Sequence, residues 1–205
     1  ANQDGTSGAG SNNTAVGAQS LGQQNTTTGG NNSVLGMGAL SYCSSGNANV
    51  AMGYNALNLL TTGANNVAIG SAAADQITTQ SYNVYIGNNS GKYINGGGSN
   101  VAVGYGTMTS SGTAANNNAL ECVAIGNSVM AAITTGDYNV GVGSNALNDI
   151  TTGSFNTAIG KGALSTATTA AGNVFIGYDC GLSIPASQAL SAVVAIGKDA
   201  FVGSG

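Results

Sequence analysis

The phrase Asn-Val-Ala-Ile-Gly recurs along this chain with small variations, and its closing glycine returns at a nearly constant interval. The closing glycines are Gly17, Gly36, Gly53, Gly70, Gly87, Gly104, Gly126, Gly143, Gly160, Gly177 and Gly197. Their spacings are 19, 17, 17, 17, 17, 22, 17, 17, 17 and 20 residues. The chain therefore reads as eleven copies of a 17-residue unit, with two, five and three extra residues in three places. A unit this short cannot bury an apolar face by itself, so it must stack on its neighbours.

Aligning the copies shows what each column requires. An aliphatic residue or Met precedes every closing glycine, as in Met52, Ile69 and Val103, and Val stands two positions earlier in eight copies. The residue between is mostly Ala, which gives the alternation of a strand. These large residues are expected to point into the coil. A second apolar column lies four residues after the glycine (Leu21, Leu40, Leu57, Met108, Met130, Leu147, Leu164, Phe201). A third lies seven after it (Cys43, Leu60, Ile77, Ile94, Ile133, Ile150). Asn fills the fourth position before the glycine in nine copies and is assigned to a corner, because Asn tolerates left-handed backbone. Strands of stacked coils pair at about 4.8 Å, so eleven coils make a rod about 50 Å long. The expected fold is an all-β parallel β-solenoid, with residues 12–205 as one domain and residues 1–11 as a flexible N-terminal link. Long helical repeats are excluded by the density of Gly, Thr, Val and Asn.

Composition narrows function. Only 5% of residues are charged, and the chain has three Lys, no Arg, no His and a formal net charge of −4, against about 25% charged residues in an ordinary domain. With no His and no Arg, most general acid/base, metal and phosphate chemistry lacks its usual side chains. No Ser, Thr or Cys can find a His base for a hydrolytic triad, and three Lys cannot grip nucleic acid. No enzyme activity, cofactor or metal site is expected. No apolar run reaches membrane-span length. Lacking a signal peptide and an initiating Met, the chain is expected to be a processed product, an excised segment or an incomplete chain. Neither end shows a helix or polar cap, so coils are expected to continue in a longer parent chain or in a neighbouring subunit.

The units Asn66-Val67-Ala68-Ile69-Gly70, Asn100-Val101-Ala102-Val103-Gly104 and Asn156-Thr157-Ala158-Ile159-Gly160 resemble the head repeat of YadA-type trimeric autotransporter adhesins. The longer stretches Gly53 to Leu57 and Thr61 to Gly70 are similar to repeats of phage tail-fibre and other virion-fibre proteins. This resemblance covers nearly the whole chain, although the unit is longer than in typical adhesin heads. It implies a left-handed β-roll, a side-by-side homotrimer, and an extracellular place on a virion or cell surface. The expected role is a structural rod that attaches through its loops to a glycan or surface receptor. The alternatives are an extracellular filament or capsid-decorating subunit without a ligand, and an ice-binding solenoid.

Several groups of residues are candidates for contact. The largest insertion supplies Tyr105, Thr107, Ser110, Ser111, Asn116, Asn117 and Asn118, and a second insertion contains Pro185. Loops leaving a regular scaffold often carry function. Tyr54, Tyr105 and Tyr178 share the column after the glycine and suit a sugar face or a subunit interface. Asp179 and Asp199 share a column on adjacent coils, which could bring two carboxylates together, but surface acids are the expected role. Cys43, Cys122 and Cys180 fall on distant coils, so they are expected as buried thiols without a disulfide. The Thr-Thr pairs (Thr61/Thr62, Thr78/Thr79, Thr134/Thr135, Thr151/Thr152, Thr168/Thr169) share one column, and each is expected to present one outward hydroxyl at a turn.

Overall fold

The computed structural model describes residues 10, 12–21, 28–110, 117–182, 184–185 and 190–200. The expected N-terminal link lies outside these residues apart from Gly10, as does Phe201 of the second apolar column. Eleven three-residue strands follow one another: β1 (Thr14–Val16), β2 (Ser33–Leu35), β3 (Val50–Met52), β4 (Val67–Ile69), β5 (Val84–Ile86), β6 (Val101–Val103), β7 (Val123–Ile125), β8 (Val140–Val142), β9 (Thr157–Ile159), β10 (Val174–Ile176) and β11 (Val194–Ile196). They form a single parallel sheet in sequence order, each strand in register with the next, as Val67 with Val84 and Ile69 with Ile86. The five-residue insertion does not disturb this register, since Val101 pairs with Val123. Stacking continues around the rest of each coil: Leu57 N donates to Ala73 O at 3.0 Å and Thr61 N to Thr78 O at 2.7 Å. The chain is an all-β parallel β-solenoid of 17-residue coils.

The strands face the opposite way from the sequence expectation. In β4 the central Ala68 is fully buried, Val67 is half-buried and Ile69 is exposed. The central residue is the buried one along the whole sheet, from Ala15 through Ala51, Ala102, Ala124 and Ala158 to Ala195, and in each of these strands neither flanking residue is buried. The reason is space. Each coil already fills its interior from the other side with the second and third apolar columns, including Leu57, Leu60, Leu147 and Ile150, all fully buried. What remains beneath the strand accommodates a small side chain, so bulk goes outward.

Two coils test that account naturally. Tyr85 and Phe175 occupy the strand centre and are fully buried. In those coils the fourth residue after the closing glycine is Gly91 or Gly181 instead of Leu or Met, and a Cβ at Gly91 would collide with the Tyr85 ring. These two coils thus keep their interiors filled by exchanging bulk across them.

Backbone conformation explains the choice of apolar residue in each column. The fourth position after the glycine is left-handed, with φ of 52° at Leu57, 47° at Met108 and 52° at Leu147. β-branched side chains are genuine outliers there, and this column contains only Leu, Met, Ala, Gly and Phe. Ile appears three residues later, at Ile77, Ile94, Ile133 and Ile150, where φ is not positive. The closing glycines are doubly constrained. Gly70 has φ of 135°, and a Cβ on it would lie 2.5 Å from Gly87 O in the next coil.

The Asn column also differs from its assigned corner role. The left-handed residue is the one before it, such as Asn65 at φ 58°, while Asn66 itself is fully buried. Its Oδ1 accepts from Asn83 N at 3.0 Å and from Asn83 Nδ2 at 3.1 Å. Its Nδ2 donates to Gln80 O at 2.8 Å. The amides form a ladder that satisfies buried backbone groups from coil to coil. Cys122 replaces one rung: its N donates to Asn100 Oδ1 at 2.9 Å and its Sγ accepts from Asn139 N at 3.5 Å.

Candidate functional site

The most extensive exposed feature follows from the inverted strands. The residues flanking each strand centre point out of the coil, and in-register pairing places them in two parallel rows on one flat face. One row runs through Leu35, Met52, Ile69, Ile86, Val103, Ile125, Val142, Ile159 and Ile176, and the other through Val50, Val67, Val84, Val101, Val123, Val140, Thr157 and Val174, where Thr157 is the one polar member. Leu35 is 53% exposed, Ile125 41% and Ile159 40%. The stripe runs the length of the rod, about 50 Å. Monomeric proteins rarely leave so large a continuous apolar patch in water.

The insertion residues divide. Tyr105 and Asn118 are exposed. Thr107 is fully buried, because it belongs to the regular coil in the inward column held elsewhere by Ala56 and Ala146. Its Oγ1 lies 2.9 Å from Ser90 Oγ. Asn117 is also buried, with Nδ2 donating to Tyr93 O at 3.0 Å, and regular pairing has resumed there, since Asn95 N donates to Asn117 O. Ser110 is buried with a left-handed φ of 56°. Thr107, Ser110 and Asn117 are thus turned inward and do not offer their side chains to a surface ligand. Ser111 and Asn116 lie outside the described residues.

The other candidates are placed separately. Tyr54, Tyr105 and Tyr178 are exposed on coils three, six and ten, too far apart along the stack to act together. Tyr178 lies between two cations, with Lys161 Nζ 5.4 Å and Lys198 Nζ 5.8 Å from its ring centroid. Asp179 and Asp199 do fall on adjacent coils, but Asp199 pairs with Lys198 at 3.7 Å. Among the described residues no three His, Cys, Asp or Glu side chains come together as a metal-ligand set, and no helix is long and apolar enough to cross a membrane. In the Thr pairs the hydroxyls of the first residues Thr61, Thr78, Thr134 and Thr151 are tied to the next coil, as Thr61 Oγ1 donating to Thr78 O at 2.9 Å, and in all five pairs the second residue is exposed. The three cysteines are buried and unbridged, and burial pushes the Cys122 thiol up to about 11.

One exposed feature escaped the sequence reading. Tyr138 and Phe155 stack face to face on adjacent coils, with ring centroids 4.9 Å apart and planes 12° from parallel. Both occupy the fifth position before the closing glycine, a left-handed corner, with φ of 56° and 60°. Asn, Ala, Ser or Gly fills this column in most other coils. An aromatic residue held left-handed there costs about 1–2 kcal/mol, and Phe155 stays 64% exposed. The detectable signal is two aromatics 17 residues apart in one column.

Sheet, columns and outward apolar face together define the class: a parallel β-solenoid repeat protein built from 17-residue coils. No protein-family model matches the sequence, and no curated protein or solved structure is significantly similar to it.

Proposed function

We propose that this chain is a structural, non-enzymatic rod segment of a fibre or appendage on a virion or bacterial surface, assembled side by side as a homotrimer and serving attachment. The observation that carries the reading is the outward Val/Ile stripe. A flat apolar face on a straight rod is buried when parallel copies pack along it, and the resemblance to adhesin-head and tail-fibre repeats supplies the number three and the extracellular setting. The sparse charge, with one ion pair among the described residues, suits a surface covered by copies of itself. Stacked coils would give stiffness, and three subunits would multiply weak contacts at their corners and insertions.

Sedimentation equilibrium over a range of concentration tests this. A concentration-independent species of three times the 19.7 kDa chain mass is expected, and Ile125→Asp with Ile159→Asp should convert it to monomer while preserving the β-sheet signal. A wild-type monomer overturns the reading and returns attention to the single exposed Thr column. Growth into long polymers points to a filament subunit instead.

A further inference from the structure

The aromatic pair at the corner is open at one end. The column that holds Tyr138 and Phe155 continues with Gly172 on the next coil, joined to it by Gly172 N donating to Ser154 O at 2.9 Å. A Cβ placed on Gly172 would meet a single atom within 4 Å, Ala192 N at 3.9 Å. The third position of the stack is therefore a notch one coil high, floored by glycine. The ring of Phe155 faces it: with one face on Tyr138 it is still 64% exposed, about as much as the unstacked Tyr82 at 66%.

We infer that the Phe155 face above Gly172 is a stacking subsite for a neutral sugar ring, the third member of the Tyr138–Phe155 stack. Three observations select this ligand class. A ring is required, because the notch continues an array of parallel planes at coil spacing. An anion is disfavoured, because Glu121 occupies the same corner column one coil before Tyr138 and Asp137 precedes Tyr138, whereas Lys161 follows the strand and sets its Nζ 5.4 Å from the Tyr178 ring centroid. Phosphorylated ligands, nucleic acids and acidic sugars would meet the like charge of Glu121 and Asp137 at this corner. The rim beside the open face is polar: Thr152 and Thr169, both exposed, stand three residues before Phe155 and Gly172 on their respective coils. A sugar presents an apolar C–H face to the ring and hydroxyls to such a rim, whereas a partner protein's aromatic anchor wants a water-excluding apolar collar, which the exposed Thr152 and Thr169 do not supply. This rests on the attachment half of the proposed function and specifies its ligand. It needs one chain only, so it stands or falls separately from the trimer.

The chain contains only three phenylalanines, Phe155, Phe175 and Phe201. Uniform 4-fluorophenylalanine labelling therefore gives three fluorine resonances, and Phe155→Tyr assigns one of them. Titration with maltohexaose, laminarihexaose and mannohexaose should shift the Phe155 resonance saturably for at least one sugar and leave that of buried Phe175 in place. Gly172→Asn fills the notch with a side chain this column already carries at Asn65, and it should weaken the shift by roughly tenfold or more. In unlabelled protein, saturation-transfer signals of the bound sugar should fall equally with Phe155→Ala and persist with Tyr82→Ala. Sedimentation of every variant is run alongside, so loss of sugar binding with the trimer intact is distinguished from loss of assembly. The inference is overturned if no sugar shifts Phe155, if Gly172→Asn binds as wild type, or if tyrosinamide shifts Phe155 while the sugars do not.

Discussion

The two surfaces of the same eleven strands have opposite tolerances. Inward, the strand centres are Ala in most coils and fully buried along most of the rod. Outward, the flanking Val and Ile rows carry large side chains that one chain leaves in water. Strand residues separated by one position thus answer to different constraints: the interior to a fixed coil volume, the exterior to whatever covers the stripe. The contrast teaches that side-chain size in a thin coil reports available space before it reports burial.

The strongest way to break this comparison is inside coil five. Tyr85→Ala should leave a void beneath the strand and destabilise the fold by about 3–5 kcal/mol. Adding Gly91→Leu should recover much of that loss, because Leu occupies the same left-handed position in coils such as that of Leu57. Urea unfolding of both single variants and the double variant measures the coupling. If the two effects simply add, exchange of bulk across the coil is refuted.

A smaller effect compares the two surfaces directly. Ala158→Ile forces bulk into a coil already filled by Leu164 and should cost about 1–3 kcal/mol. The neighbouring Ile159→Ala should change unfolding by less than about 0.5 kcal/mol when both are measured in an Ile125→Asp chain at a concentration where sedimentation shows it monomeric. Equal losses at the two positions would erase the distinction between surfaces. The finest test separates two buried columns. Leu57→Ile, at φ 52°, should cost on the order of 1–2 kcal/mol from left-handed strain. Leu60→Ile, in the column that already accepts Ile77 and Ile94, should cost less than Leu57→Ile.

Much of this architecture is legible from the spacing of glycines. Every strand falls on the column pattern read from the sequence, and the second and third apolar columns point inward as expected, as Leu57 and Ile150 show. The facing of the strands is not legible in the same way, because alternation specifies that two sides differ, not which side is in. Hydropathy alone favours burying Ile69 over Ala68. The corrective signal was the coincidence of Tyr85 with Gly91 and of Phe175 with Gly181, which only makes sense if the strand centre is inside. The buried Asn ladder was mistaken for a corner because Asn serves both roles, and the neighbouring residue takes the left-handed turn. Among the candidate contacts, Thr107 and Asn117 were grouped with the insertion by position in the chain, whereas coil register places both within regular turns. The Tyr138–Phe155 stack required columns to be compared across coils at a position with no apolar trend.

Because backbone partners recur at 17-residue separation, as Val67 with Val84 and Thr61 with Thr78, the molecule behaves as a ruler with a single graduation. Removing residues 54–70 would join Gly53 directly to Ser71, which occupies the column of Tyr54, and shorten the rod by one step of about 4.8 Å. Lengths between steps are inaccessible without shifting a buried column out of line. A lineage that gains or loses whole units can therefore set how far this segment reaches without redesigning what it is made of.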